Sequence, residues 1–263
     1  MSRKIKNRIA NIFGRFHITS LLNIINNKYG GFILSYHTPM PEIVNIHLNK
    51  LEKLQAISLN EMIDRLEKGH STKGCYTVTV DDGVASTTNS LSKIAIDRNI
   101  PITFFLPTSF IDSGKAYWFY RLAGLFENIN FGMIKYKNTD YNLKNVQLKT
   151  KLSNMIFLDY LKLHFTVAES KTDKFIEECV ANDIIQSHVR LGPHPISWEE
   201  VSQLATNRLI SFESHTVNHP NLSVLTDKEI EYEIIESMKR IEHFTKKNVN
   251  ISVILLEIRI QLD

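Results

Sequence analysis

Two short clusters of polar residues carry the side chains that could perform chemistry. Asp81 and Asp82 are adjacent carboxylates that directly follow the apolar segment 76–80. His215 and His219 are imidazoles four residues apart, a spacing that places both on one face of a helical turn. One carboxylate and two imidazoles can hold a divalent metal ion and leave coordination positions open, as in hydrolytic zinc sites. The same ligand set also matches the iron triad of non-haem oxygenases.

Taken one at a time, the two clusters have ordinary structural explanations. Adjacent acidic residues after a strand can form a turn that caps the next helix. Pairs of histidines four residues apart also arise often by chance. The presence of both clusters in one chain favours function, because a buried charge is costly unless it is paired or bound to metal. The combination therefore predicts a divalent-metal site.

Alternating strands and helices surround both clusters. Strands are predicted over residues 32–36, 76–80, 101–107 and 209–213. The Ser/Thr-x-x-Glu pattern of a capping box predicts helix starts at Ser58, Ser197 and Thr226. This alternation predicts an α/β fold with a mainly parallel sheet, open or closed into a barrel. Such folds collect their chemistry at the C-terminal ends of strands, where both polar clusters lie.

Both clusters resemble the signature motifs of a known enzyme family. Residues 79–83, T-V-D-D-G, resemble the T-F-D-D-G motif of the polysaccharide deacetylases, also called the NodB-homology or carbohydrate esterase 4 family. Residues 214–219, S-H-T-V-N-H, resemble the family's S-H-[ST]-x-x-H motif, and residues 101–107 are similar to its P-A-T-F-F strand. The resemblance runs from about residue 32 to residue 250. It implies a NodB-type deformed (β/α) barrel, incomplete at the C-terminal end and carrying a helical insertion.

The resemblance also assigns a role to each residue of the clusters. It makes Asp82, His215 and His219 the metal ligands, with Zn²⁺ as the expected ion, and Asp81 the base that activates the attacking water. The implied function is a metal-dependent hydrolase that removes acetyl groups from N-acetylated or O-acetylated sugars in poly- or oligosaccharides. Successive strand residues point to opposite faces, so both aspartates can serve one site only if the chain turns there, which Gly83 would help.

The middle of the chain differs in character from both ends. Residues 115–195 are rich in predicted helix, with long helices over 143–165 and 173–187. We interpret this segment as a helical insertion that forms a subdomain or lid. One of its histidines, His164 or His194, could supply the general acid of a hydrolase.

The C-terminal end departs from the family pattern. A deacetylase-like domain is predicted over 31–250, and an atypical tail over 251–263. The family normally continues with a Y-P-x-G or R-x-P-x-G motif and then an L-x-H motif whose histidine is the general acid. Permitted codons for residues 251–259, read two nucleotides further on, give F-S-Y-P-F-G-D-P, so we hypothesise that the tail is out of frame.

A truncated domain has consequences for activity. Missing strands expose unpaired sheet edges, so the hypothesis predicts weak turnover and poor solubility. The rival function is a non-catalytic remnant that binds metal or saccharide without turnover.

Composition and charge narrow the range of partners. The chain has 31 basic and 28 acidic residues, a net charge of +3, so no nucleic-acid partner is expected.

Residues 1–30 begin with basic residues and then repeat apolar residues at helical spacing. This predicts an amphipathic helix that packs on the domain or makes peripheral contact with an anionic membrane. The apolar runs are too short for a spanning helix or a signal peptide, so a cytoplasmic location, with or without membrane association, is expected.

Overall fold

The computed structural model of the chain describes residues 30–129 and 132–252. The predicted N-terminal helix lies outside this part except for Gly30, and so do residues 253–263. The elements in chain order are β1 (Phe32–Tyr36), α1 (Pro41–Lys50), β2 (Gln55–Ala56), α2 (Leu59–Glu67), β3 (Cys75–Val80), α3 (Ala85–Arg98), β4 (Ile102–Leu106), α4 (Thr108–Ser113), α5 (Trp118–Asn128), β5 (Gly132–Tyr136), β6 (Thr139–Leu143), α6 (Val146–Leu161), α7 (Phe165–Ala181), α8 (Trp198–Leu204), β7 (Ile210–Ser214), a 3₁₀ turn (Leu222–Val224) and α9 (Asp227–Thr245).

The chain divides into two compact units. Of the described residues, the first unit contains those up to Asp82 together with Thr87–Phe104 and Gln203–Phe212. The second contains Gly83–Ser86, the described residues between Phe105 and Ser202, and those from Glu213 to Ser252. The main sheet has the strand order β1-β3-β4-β7, with β2 beside the start of β3.

The central strands of the main sheet are β3 and β4, and both are buried at every residue. Strands β1, β2 and β4 all pair with β3 in parallel. Parallel sheets are covered on both faces, so their strands read as continuous apolar and β-branched runs, as these two do. The predicted α/β class with a parallel sheet is therefore confirmed. Within the described strands, the sheet is open rather than closed into a barrel.

Helix starts lie where the capping patterns predict them. The hydroxyls of Ser58 and Thr226 each accept the backbone N–H three residues further on, and Glu229 completes a reciprocal capping box with Thr226. Ser197 and Glu200 form the same reciprocal pair at the start of α8. Such a cap contributes about 1 kcal/mol and involves neighbours in sequence only, which is why the pattern is readable without the fold.

The segment predicted to be a helical insertion has a hydrophobic core of its own. Helices α5, α6 and α7 surround buried side chains that include Trp118, Leu125, Ile156 and Phe175. Burying each such side chain stabilises the folded state by about 1.5–3 kcal/mol. Trp118 therefore packs in this core.

Two features of the segment differ from the sequence-based expectation. The second long helix begins at Phe165 rather than near Asp173, because the His164 ring caps it by accepting an N–H of its first turn. The chain also forms a β-hairpin, β5 with β6, in a segment for which the sequence pattern predicts helices and no strand. Its turn residues Lys137 and Asn138 both have positive φ, 48° and 60°, as in a type I′ turn. The asparagine is the signal that would have indicated this hairpin.

Neither cysteine forms a disulfide, and both Cys75 and Cys179 are buried. Among the described helices, none combines the length and apolarity needed to cross a membrane.

The thiol of Cys179 is expected to be unreactive in the folded protein. Burial, and to a smaller extent the charge of Glu178, raises its pKa to about 12. Only the thiolate attacks alkylating reagents, so at about pH 8 it should react roughly 10³-fold more slowly than a free cysteine of pKa about 8.5. Labelling a Cys75→Ser variant with iodoacetamide, folded and in urea, measures this by mass. Rapid stoichiometric labelling of the folded variant would contradict the expectation.

Candidate metal centre

Asp81 and Asp82 lie in a tight turn directly after β3. Val80 is the last strand residue, and the Asp81 N–H still donates to the Tyr36 carbonyl at 2.9 Å. Asp82 then adopts a left-handed conformation with φ of 75°, followed by Gly83 with φ of 58°. The predicted departure from the strand pleat is therefore present, and it begins at Asp82. Both aspartates are buried, with 6% and 3% of their surface exposed.

Gly83 lies close to a buried leucine side chain. A Cβ atom there would lie 2.8 Å from the Leu106 Cδ2, well inside van der Waals contact. Its carbonyl also accepts the Ile196 N–H at 2.9 Å. A larger residue here would displace the Leu106 side chain and adopt a backbone conformation that glycine adopts most readily.

A histidine outside the two motifs lies beside the first aspartate. The His37 Nε2 is 3.6 Å from the Asp81 Oδ2, and the His37 side chain is 60% exposed. This contact places a polar ring at the entrance to the buried Asp81 carboxylate.

His215 and His219 flank an irregular loop, so the predicted helical turn is wrong. Residues 215–219 contain no helix, and Thr216 and His219 are left-handed, with φ of 68° and 52°. The two rings nevertheless meet, with centroids 4.6 Å apart and planes at 86°. The spacing predicts correctly that the imidazoles are neighbours, but the path of the loop brings them together rather than helical periodicity.

Backbone hydrogen bonds anchor this histidine loop, residues 215–219. The His215 N–H donates to the Leu106 carbonyl at 3.1 Å. The carbonyls of Thr216 and Val217 accept the first two N–H groups of α4, at 3.2 and 2.9 Å. The first N–H groups of a helix have no hydrogen-bond partner inside that helix. Here the loop carbonyls accept them, so the loop and the start of α4 supply each other's hydrogen bonds.

Aromatic side chains and a groove lie next to the second histidine. The ring centroids of Tyr117 and Phe119 are 5.4 and 5.1 Å from that of His219. Tyr117 and Asn218 also line a groove of about 800 Å³, whose opposite wall is α7 from Phe165 onward. This volume falls within the usual range of small-molecule sites.

Glu213, near the end of β7, accepts hydrogen bonds from the chain that follows α9 and holds that chain beside the strand. Burial raises the pKa of its carboxyl, while N–H bonds from Ile251 and Asn250 to its Oε2, at 2.9 and 3.1 Å, oppose that rise. The Ser214 N–H donates to the Ile251 carbonyl at 3.1 Å, and Ser214 pairs in parallel with Ser252. The first two residues of the predicted atypical tail therefore extend the strand arrangement. The rest of that tail lies outside the described residues.

Glu233 is a second buried glutamate that the motifs do not indicate. It lies on α9 with 2% of its surface exposed, and its carboxylate accepts three hydrogen bonds from Val217 and Asn218. Its sequence signal is an acidic residue between Ile230 and Ile234 on the apolar face of a helix. That signal marks burial but does not identify the partner.

The two histidines suggested as general acids occupy structural positions. The His164 ring caps α7, and its Nε2 lies 3.3 Å from the Glu229 Oε1. His194 lies in a loop, where its carbonyl accepts the Ala85 N–H at 2.9 Å. The His164 ring is thus engaged in capping and in the contact with Glu229, whereas the contact of His194 involves its backbone and not its ring.

The ligand atoms of Asp82, His215 and His219 all lie within 4.8 Å of one another. One carboxylate and two imidazoles are donors that zinc and other divalent transition metals accept. The residues present therefore fit such an ion.

The sequence matches one family of known proteins. Residues 157–254 match the family described as polysaccharide deacetylase. The match contains the second motif, residues 214–219, while the first motif, residues 79–83, precedes it. No curated protein matches the sequence.

Solved structures similar to this chain include three bacterial deacetylases. The Streptococcus pyogenes deacetylase PplD in complex with acetate is 12% identical, with a TM-score of 0.50 over 85% of this chain and 71% of its own. The BpsB deacetylase domain from Bordetella bronchiseptica is 13% identical, with a TM-score of 0.45 over 84% and 77%. A de-N-acetylase from Aggregatibacter actinomycetemcomitans is 16% identical, with a TM-score of 0.45 over 84% and 78%. Residues 157–254 are thus similar to the polysaccharide deacetylase family, and the chain shares its fold with the first of these structures.

Proposed function

We propose that this chain removes acetyl groups from N-acetylated sugars of poly- or oligosaccharides with the help of one divalent metal ion. The ion we expect is Zn²⁺. O-acetylated sugars are a close variant of the same substrate. The observation that carries the proposal is the cluster of Asp82, His215 and His219, whose donor types suit such an ion. Asp81, buried and adjacent in the chain, completes the set.

Each residue of the cluster has a distinct role in this proposal. Asp82, His215 and His219 hold the ion. When bound, the ion polarises the acetyl carbonyl and lowers the pKa of a water molecule toward neutrality. Asp81 takes the proton from the attacking water, and the His37 Nε2 lies 3.6 Å from its carboxylate. Acetate and a free sugar amine are the products.

The groove beside His219 supports a saccharide as substrate. The aromatic ring of Phe165, which lines the groove and is half-buried, offers an apolar face to a sugar ring. The amide of Asn218 and the ammonium of Lys115, which also line the groove, can hydrogen bond to hydroxyl groups. A volume of about 800 Å³ suits more than one sugar unit.

Substitution of Asp81 by asparagine tests the proposal. Asparagine keeps the shape but cannot accept a proton from water, so the kcat for acetate release should fall by about 10²–10⁴. Zn²⁺ should still bind at one ion per chain, because Asp81 is not a ligand. Acetate release from acetylated chito-oligosaccharides, after chelation and with Zn²⁺ restored, measures the first effect. Metal analysis measures the second.

Asp64→Asn is a matched control for that experiment, because Asp64 lies on α2 and pairs with Lys68 at the surface. It should leave kcat unchanged. Activity that survives Asp81→Asn would overturn the assignment of the base. The alternative function, a remnant that binds without turnover, predicts Zn²⁺ binding but no acetate release from any form of the protein.

A further inference from the structure

The histidine loop has a backbone conformation that needs support from outside the loop. Thr216 and His219 are both left-handed without being glycine, and Thr216 is β-branched as well. Such conformations are disfavoured and persist only where surrounding contacts over-determine them. The loop carbonyls are held by the start of α4. The loop amides require a separate partner.

Glu233 is the partner of those amides. Its Oε2 accepts the N–H groups of Val217 and Asn218 at 2.8 and 2.7 Å. Its Oε1 accepts the Asn218 side-chain amide at 2.7 Å. Both carboxylate oxygens are therefore used, and all three donors belong to the short segment between the two histidines.

The hydrogen bonds of Glu233 serve the loop and not its own helix. A buried carboxylate is stable only when charge-assisted hydrogen bonds offset the loss of water, and here the three bonds all come from the loop. One turn further along α9, the hydroxyl of Ser237 contacts that of Ser214, the residue before His215. The two side chains together attach α9 to residues 214–218.

We propose that Glu233 is a positioning residue that holds the histidine loop in the conformation presenting His215 and His219 to one metal ion. This inference rests on the proposed metal site but concerns a residue outside the ligand set. The side chain acts through hydrogen-bond geometry: it accepts two successive backbone N–H groups and orients Asn218. Removing these acceptors should let the loop relax from its left-handed torsions and separate the two rings.

A pair of substitutions tests the proposal. Glu233→Met keeps the length of the side chain but removes both acceptors, so Zn²⁺ affinity should fall by about 10–100-fold, as is typical when support of metal ligands is lost. Glu233→Gln keeps one oxygen for the two N–H groups, and a rotated Asn218 amide can accept from its NH₂. The Zn²⁺ affinity of this variant should therefore lie within about fivefold of the wild type. That difference is smaller than the loss of about 10–100-fold expected when the support of metal ligands is removed.

Three readouts separate positioning from general stability. Calorimetric titration of the metal-free protein with Zn²⁺ gives the affinity, and the visible absorption of bound Co²⁺ reports the ligand geometry. Histidine ring NMR signals of the metal-free protein report the loop itself. Glu233→Met should change all three. Glu236→Met is the matched control, because Glu236 lies on the same helix and pairs with Lys239 at the surface. It should change none.

The results distinguish this inference from the proposed function. A wild-type protein that binds no metal contradicts the proposed function, while the ring signals still test the loop. Unchanged affinity, Co²⁺ spectrum and ring signals in Glu233→Met would overturn the positioning role, as would a Glu233→Gln variant no better than Glu233→Met. If Glu233→Met does not fold, Asn218→Ala removes a single donor. In that case the Zn²⁺ affinity of Asn218→Ala is measured in place of that of Glu233→Met, and it should fall several-fold. An unchanged affinity in Asn218→Ala would also overturn the proposal.

Discussion

Replacing His219 by alanine is expected to abolish acetate release and strongly weaken Zn²⁺ binding. Substitutions that only support metal ligands cost about 10–100-fold in affinity, so loss of a ligand should cost at least about 100-fold. The ion contributes several kcal/mol to stabilising the transition state, so activity should fall by at least about 10³-fold. His188→Ala is the matched control, since that histidine is exposed in the loop after α7. It should retain both metal and activity.

The three ligands should behave as one unit. Single alanine substitutions of Asp82 and His215 are expected to lower metal content and activity as much as His219→Ala does. The double variant of His215 and His219 should lose little further activity, because residues that act together are not additive. Calorimetry, metal analysis and acetate release measure these effects. A single variant that retains metal and turnover would remove that residue from the ligand set.

Replacing Arg121 by methionine should strongly lower the free energy of unfolding. Arg121 is buried, with 7% of its surface exposed, and its guanidinium contacts Glu169 and Asp173 of α7. Its Nε also donates to the Ala116 carbonyl at 2.9 Å. Removing one partner of a buried ion pair leaves the other charges uncompensated, which costs about 3–5 kcal/mol. Because both carboxylates are partly exposed, we expect about 3 kcal/mol, measured by urea unfolding.

Lys115→Met is the control for that measurement. Lys115 contacts the same acids, at 2.9 Å from Asp173, but its side chain is 53% exposed. A surface pair of this kind contributes less than about 1 kcal/mol. Equal losses in the two variants would show that burial of Arg121 does not determine the strength of its ion pairs.

The same cluster predicts a pH dependence. Burial acts to raise the pKa of Asp173, but hydrogen bonds from Lys115 and Arg121 outweigh it, and the net pKa is lowered. A carboxyl with a lowered folded-state pKa adds stability above its unfolded pKa, about 3.9, and this stability is lost as the pH falls through the folded value. In Arg121→Met, stability should therefore depend less on pH below about pH 4.

Elements with local causes were predictable from the sequence. The caps at Ser58 and Thr226 depend on residues three apart, and the buried strands depend on continuous apolar runs. The two motifs marked the aspartates and histidines for the same reason, since each is a contiguous string. The hairpin at Lys137 and the start of α7 at Phe165 were missed, because a positive-φ turn and a histidine cap are weaker signals than helical periodicity.

From the sequence by itself one could predict the resemblance to one enzyme family, the α/β class and the four residues of the candidate site. Those properties reside in residue types and short spacings. Only the tertiary structure decided that an irregular, left-handed loop brings His215 to His219, and that Glu233 holds this loop. A buried glutamate on a helix finds its partners through the packing of that helix against a loop fourteen residues earlier. The residues near Glu233 in the sequence do not show which backbone N–H groups will donate to its carboxylate, because helix packing brings them there.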